Sequence, residues 1–238
     1  MDSSYSSNSE FPMKTLSLLT LLLFSVSLLA AQKSFEDPPV PVEQEPHHHT
    51  VLRNNYVLVT HVSLREGERT LYHIHDHDRV SVELSSANIS QQKLNEPEGP
   101  STPTKPGELS APTVGATPLI HRVHNFGPGT FEVLDIELLE RPLQPSASDA
   151  APVAVENPSA RVYQWLLAPG ASTPMHTHSR PYLIVAVTKM PLKMTGPDGQ
   201  SQSHEIQSGD FHWVDTRVTH SLANEGTTEG QIVEVEMK

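Results

Sequence analysis

The sequence predicts an all-β protein made of two related small barrels or sandwiches, and three observations carry that prediction. The chain repeats itself, the closing segment of each copy alternates apolar and polar residues, and turn signals recur at short intervals. Val59 to His75 (VTHVSLREGERTLYHIH) lies over Val162 to His178 (VYQWLLAPGASTPMHTH) at a constant offset of 103, and His121 to Glu137 lies over His220 to Glu236 at an offset of 99. Self-similarity of this kind marks a duplicated structural unit. Each copy reads as strand-like residues, Gly-x5-His-x-His, a variable middle, His-x3-Asn-x-Gly and a final strand.

Leu16 to Ala30 is an apolar run after Met13-Lys14 that ends in small residues. It is shorter than the roughly 20 residues of a membrane span and has the layout of a secretory signal. Residues 1–31 are therefore expected to be a signal peptide, with Met13 as an alternative start, in a protein exported to the periplasm or beyond the cell. Residues 32–50 read as an extended lead-in, 51–140 as the first barrel domain, 141–160 as a Pro-, Ala- and Ser-rich linker, and 161–238 as the second barrel domain. His47-His48-His49, in the lead-in, can be a surface feature or a contribution to ligand binding.

Within the copies, Val133 to Leu138 and Ile232 to Met237 show the two-residue period of a half-buried strand. Arg65-Glu66-Gly67, Pro169-Gly170-Ala171 and Gly196-Pro197-Asp198-Gly199 punctuate short strands. The middle of the first copy carries Pro97, Pro100, Pro103, Pro106, Pro112 and Pro118. Proline cannot donate to a strand ladder, so this middle should be irregular or edge-like. The second middle reads as strand, turn at Ser208-Gly209-Asp210, strand.

A formal charge of −12 and the lack of a basic stripe argue against nucleic acid and, after signal cleavage, against an anionic membrane as partner. The absence of cysteine excludes disulfides, thiolate metal sites and a cysteine nucleophile. A small-molecule ligand is the expected partner, in a chain free to act alone or as a homo-oligomer.

Residues two apart on a strand share a face. His73 with His75, and His176 with His178, can thus aim imidazoles at one point, with His121 and His220 as third ligands because they hold equivalent places in the repeat. His124 competes with His121, but its spacing turns it to the opposite face. Neutral imidazole suits iron, manganese, zinc, nickel or copper. Of the two triads, His176, His178 and His220 is favoured, because its surrounding strands are the more regular; His73, His75 and His121 is read as the relic. Arg79, Arg180 and Tyr182 follow the histidine pairs and are candidates for binding an anionic or carbonyl-bearing ligand.

Gly67-x5-His73-x-His75 with His121-x3-Asn125, and Gly170-x5-His176-x-His178 with Gly209 and His220-x3-Asn224, resemble the two short motifs of the cupin superfamily, duplicated as in bicupins. The resemblance implies a jelly-roll barrel per domain and a divalent transition metal held by the motif histidines. The family's usual glutamate, four positions after the second histidine, is replaced by Arg79 and Tyr182. Three-histidine sites are therefore expected rather than three histidines with a carboxylate. The function implied is a metal-dependent enzyme of oxygenase or isomerase type acting on a small organic molecule. The alternative is a non-catalytic small-molecule or metal-binding bicupin.

Overall fold

The alternating segments form strands because their β-branched and aromatic residues fit a pleated surface, and each copy folds them in the same order. The structure is a computed structural model that describes residues 38–140 and 152–238. The expected signal over 1–31 lies outside the described residues, as does most of the expected linker.

The first copy contains β1 (Val40–Pro41), β2 (His48–Arg53), β3 (Val57–Leu64), β4 (His73–His75), β5 (Arg79–Glu83), β6 (Asn88–Lys93), β7 (Thr102–Pro103), β8 (Leu109–Ser110), β9 (Leu119–Asn125) and β10 (Phe131–Leu138). Two five-stranded sheets result, ordered β2-β3-β10-β5-β8 and β1-β4-β9-β6-β7. The second copy contains β11 (Val153–Glu156), β12 (Ala160–Leu167), β13 (His176–His178), β14 (Tyr182–Ala186), β15 (Met190–Thr195), β16 (Ser201–Ile206), β17 (Phe211–Val214), β18 (Val218–Asn224) and β19 (Gly230–Met237). Its sheets, β11-β12-β19-β14-β17 and β13-β18-β15-β16, repeat the first pair, with no counterpart of β1 among the described residues. This is the two-sheet jelly roll, twice.

Residues placed outside the barrels by sequence are part of them. β1 pairs in parallel with β4, and β2 pairs with β3, so the lead-in contributes two strands. Val153–Glu156, at the end of the expected linker, is likewise paired with β12. The Pro-rich middle of the first copy yields only the two-residue strands β7 and β8, each at a sheet edge, whereas its second-copy counterparts have six and four residues.

The closing strands are buried on both faces, not one. Leu134, Ile136, Val233 and Val235 join Val82 and Val185 in one apolar core shared by the two copies, and residues 37–238 form a single compact unit. Ser159 Oγ donates to Asp78 Oδ2 at 2.6 Å, and Asn157 Nδ2 donates to the Arg79 carbonyl at 3.0 Å, adding polar ties between the copies. The opposite faces of β10 and β19 carry Asp135, Glu137, Glu234 and Glu236, all buried, and turn these acids into the barrels.

The motif glycine and asparagine build the corner that holds the histidine strands. Gly67 and Gly170 have φ of 81° and 74°, in the left-handed region that glycine enters without a Cβ penalty. Their N–H groups donate to the carbonyls of Asn125 and Asn224 at 2.8 and 2.9 Å. Each asparagine amide in turn donates to the end of a strand, Leu64 at 2.9 Å and Leu167 at 2.9 Å. His-x3-Asn-x-Gly is therefore one ligand followed by a structural clamp.

Candidate metal centres

Strand register places the histidines. His73 is directly opposite His121 on β4 and β9, and His176 directly opposite His220 on β13 and β18. His75 and His178, two residues along, complete each group, and all six rings are buried. In each set the ligand-bearing nitrogens lie within 4.8 Å of one another. His124 points away, its Nδ1 3.0 Å from Glu98.

The second barrel adds a donor that sequence reasoning missed. Glu234, from β19, sits 3.2 Å from His176 Nε2, 3.2 Å from His178 Nε2 and 3.1 Å from His220 Nε2. Ligands about 2.1 Å from one ion are separated by about 3.0–3.4 Å in octahedral or tetrahedral geometry, so these spacings are those of a coordination sphere. The expectation of a bare three-histidine set is thus corrected here to three histidines and a carboxylate. The acid comes from the closing strand instead of the family's usual position, where Tyr182 stands. The signal was in the sequence: acids two apart on the closing strand of both copies.

The donor chemistry fits a cation. His176, His178 and His220 Nε2 and Glu234 Oε1 are buried without a hydrogen-bond partner, a costly state that a shared ion would relieve. His176 Nδ1 donates to the Pro174 carbonyl at 2.9 Å, which leaves Nε2 as the lone-pair face. Trp165 Nε1 donates to Glu234 Oε2 at 2.7 Å, and its ring stacks on His176 at 5.3 Å. Burial works to lower the pKa of His178, but Glu234 and Glu236 outweigh it and lift it to about 9. Burial likewise raises Glu234, yet the three imidazoles hold it well below the usual carboxylate range. The pocket gathers negative charge that protons balance when no metal does.

The first barrel resolves its charge differently. Asp135 occupies Glu234's place in the repeat, but both its oxygens lie 3.2 Å from Arg79 Nη1, and Ser81 Oγ donates to it at 2.6 Å. Arg79, expected as a free ligand-binding cation, is instead committed to Asp135. Burial pushes His73 and His75 down to about 3 and His121 well below its ordinary value, so this group is three neutral imidazoles. His75 Nδ1 donates to Glu137 Oε1 at 2.7 Å, leaving Nε2 3.1 Å from His121 Nε2. His48 also belongs here: it is buried, its ring is 4.4 Å from that of His73, and its Nδ1 lies 2.6 Å from Glu45.

Sequence alternation across His75–Arg79 and His178–Tyr182 does not run unbroken, because the chain changes sheet between β4 and β5 and between β13 and β14. Tyr182 nevertheless faces inward: it is fully buried, its ring stacks on His178 at 4.0 Å, and its hydroxyl has no partner. Burial raises its pKa, so the hydroxyl stays a donor. Arg180 lies in the crossover, its backbone N–H 3.3 Å from Glu236 and its Nη2 buried without a partner.

No family model matches the chain. A curated relative, the β-alanine degradation protein BauB of Pseudomonas aeruginosa, is 31% identical over 86 residues, which cover 36% of this chain and 90% of the relative. Among solved structures, AerE from Microcystis aeruginosa aligns with TM-score 0.55 at 11% identity, over 82% of this chain and 98% of that one. A structure of Bacillus subtilis oxalate decarboxylase concerned with its Mn(II) centres aligns with TM-score 0.50 at 14% identity, over 77% and 69% of the two chains. A cupin 2 conserved barrel protein from Leptotrichia buccalis aligns with TM-score 0.50 at 12% identity, over 79% and 87%. With two jelly-roll barrels and their histidine motifs in register, the chain belongs to the cupin superfamily.

Proposed function

We propose that this is an exported bicupin whose second barrel holds one divalent transition metal and acts on a small organic molecule. The observation that carries the reading is the convergence of four buried donors, His176, His178, His220 and Glu234, with their facing atoms unpartnered. A bound ion would supply Lewis acidity and, for iron, manganese or copper, one-electron chemistry. The chain's own residues do the rest. Trp165 fixes the carboxylate, and the Pro174 carbonyl fixes the His176 tautomer. Tyr182 offers a protonated hydroxyl, and Arg180 a cation, to a carbonyl or carboxylate of the ligand. Mn(II), described for the oxalate decarboxylase neighbour, is one of the ions to test beside iron, zinc, nickel and copper.

Tag-free protein loaded with each ion and incubated with phenolic, diketone and carboxylate substrates tests the reading. Turnover or oxygen consumption that disappears in His178→Ala, with folding intact, is the expected result. Metal bound and no turnover across the panel would leave a binding protein in place of an enzyme. Recovery of a mature chain beginning after residue 31 from the exported fraction is the expectation for localisation.

A further inference from the structure

We infer that the second barrel binds an organic molecule with a sizeable apolar body, seated in a slot between β16 and β17 whose inner wall includes Ile184. None of the four donors lines this slot, so the inference does not rest on the metal-centred reading. The slot exists because β16 and β17, joined by the tight turn at Gly209, belong to different sheets: β16 pairs with β15, β17 with β14. The barrel is open between them. The cavity there measures about 590 Å³, within the roughly 300–1,000 Å³ range of small-molecule sites.

Its walls are chemically distinct from those of the first barrel. Ile184, Ala186, Leu192, Met194 and Ile206 line it. Register puts Ser81, Glu83 and Gln91 at the places of Ile184, Ala186 and Met194 in the first barrel, where a cavity of only about 60 Å³ is lined by these residues, by Arg79, Asp135, His73 and His121, and by apolar side chains such as Val123 and Phe131. Apolar side chains at three positions where the first barrel has polar ones leave a space that water fills poorly and an apolar ligand fills well. Gln202, His204, Asp210 and His212 supply the polar part of the lining, and His204 on β16 and His212 on β17, from opposite sheets, are suited to hydrogen-bond a polar substituent.

The slot's inner wall adjoins the donor group through packed side chains. Ile184 and Leu192 pack in one cluster with Tyr182 and Leu222; Tyr182 stacks on His178, and Leu222 is two residues from His220 on the same strand. A small dicarboxylate such as oxalate would leave most of this space empty.

N-phenyl-1-naphthylamine, a neutral apolar fluorophore, tests the slot in the full chain. The zinc-loaded protein is expected to bind one equivalent saturably, unaffected by millimolar oxalate. Ile206→Trp, on an edge strand and directed into the slot, should weaken binding by at least about tenfold through loss of space, while Ile206→Val retains it; thermal unfolding of both variants checks the fold. Absence of saturable binding, or binding undiminished in folded Ile206→Trp, overturns the inference. Binding that falls as protein concentration rises also overturns it, by marking a second copy as occupant. The metal reading fails separately: probe bound by protein that retains no metal keeps the slot and removes the centre.

Discussion

The two barrels share strand order, histidine register and the asparagine clamp, yet they settle buried charge in opposite ways. In the first, Arg79 on β5 binds Asp135, and three neutral histidines are left facing one another. In the second, Tyr182 takes the place of Arg79, no arginine pairs with the acid among the described residues, and Glu234 joins the histidines. One side chain on the inner wall thus decides whether the closing-strand carboxylate is spent on an ion pair or left for a metal. Separate replacements, Ile184, Ala186 and Met194 for Ser81, Glu83 and Gln91, distinguish the cavities.

Breaking the first barrel's ion pair is the strongest test of this comparison. Arg79→Met leaves Asp135 buried without its counter-ion, and about 3–5 kcal/mol of stability should be lost in chemical denaturation without metal. Because the variant frees Asp135 beside the histidines, added zinc should recover part of that loss. A variant that is destabilised and indifferent to zinc would show that the arginine is not what separates the barrels.

Smaller effects are expected where the donors are merely oriented. Trp165→Phe removes the hydrogen bond to Glu234, and zinc or cobalt affinity in the second barrel should fall about 10- to 100-fold, read by competition with a chelating dye. An unchanged affinity would mean that Glu234 is held by other contacts.

The barrels also differ in the pH response of metal-free protein, where they have opposite signs. His178, lifted to about 9, contributes stability fully below its unfolded pKa of about 6.5 and loses it as pH rises through 9. The stability gap between wild type and His178→Gln should therefore be widest in mild acid and close in alkali. His75, lowered to about 3, contributes fully above about 6.5 and loses that contribution as pH falls toward 3. For His75→Gln the gap should narrow on acidification. Parallel trends for the two variants would contradict the charge assignment.

The duplicated barrel and the histidine groups were legible in the sequence because their signals are local: a strand period of two, glycine turns, and an ungapped repeat. His121 was separable from His124 because it holds the place of His220 in the repeat and strand parity puts the two on opposite faces. Glu234 was legible as an alternating residue but not as a donor, because alternation says which residues share a face and not which face is inside. A half-buried strand would have put these acids in water; the apolar face packs against the other barrel and sends them inward. Arg79 was a candidate for ligand binding in the sequence because its partner, Asp135, is 56 residues away on another strand. His48 fell in a segment with no periodicity, and only the pairing of β2 with β3 brings it beside His73.

Metal stoichiometry decides the central comparison most directly. Tag-free wild type, Glu234→Gln and His75→Ala would be dialysed against limiting zinc and assayed by elemental analysis. One ion per chain is expected in wild type, lost in Glu234→Gln and retained in His75→Ala. An ion that survives Glu234→Gln and leaves with His75→Ala would place the working centre in the first barrel and contradict the assignment.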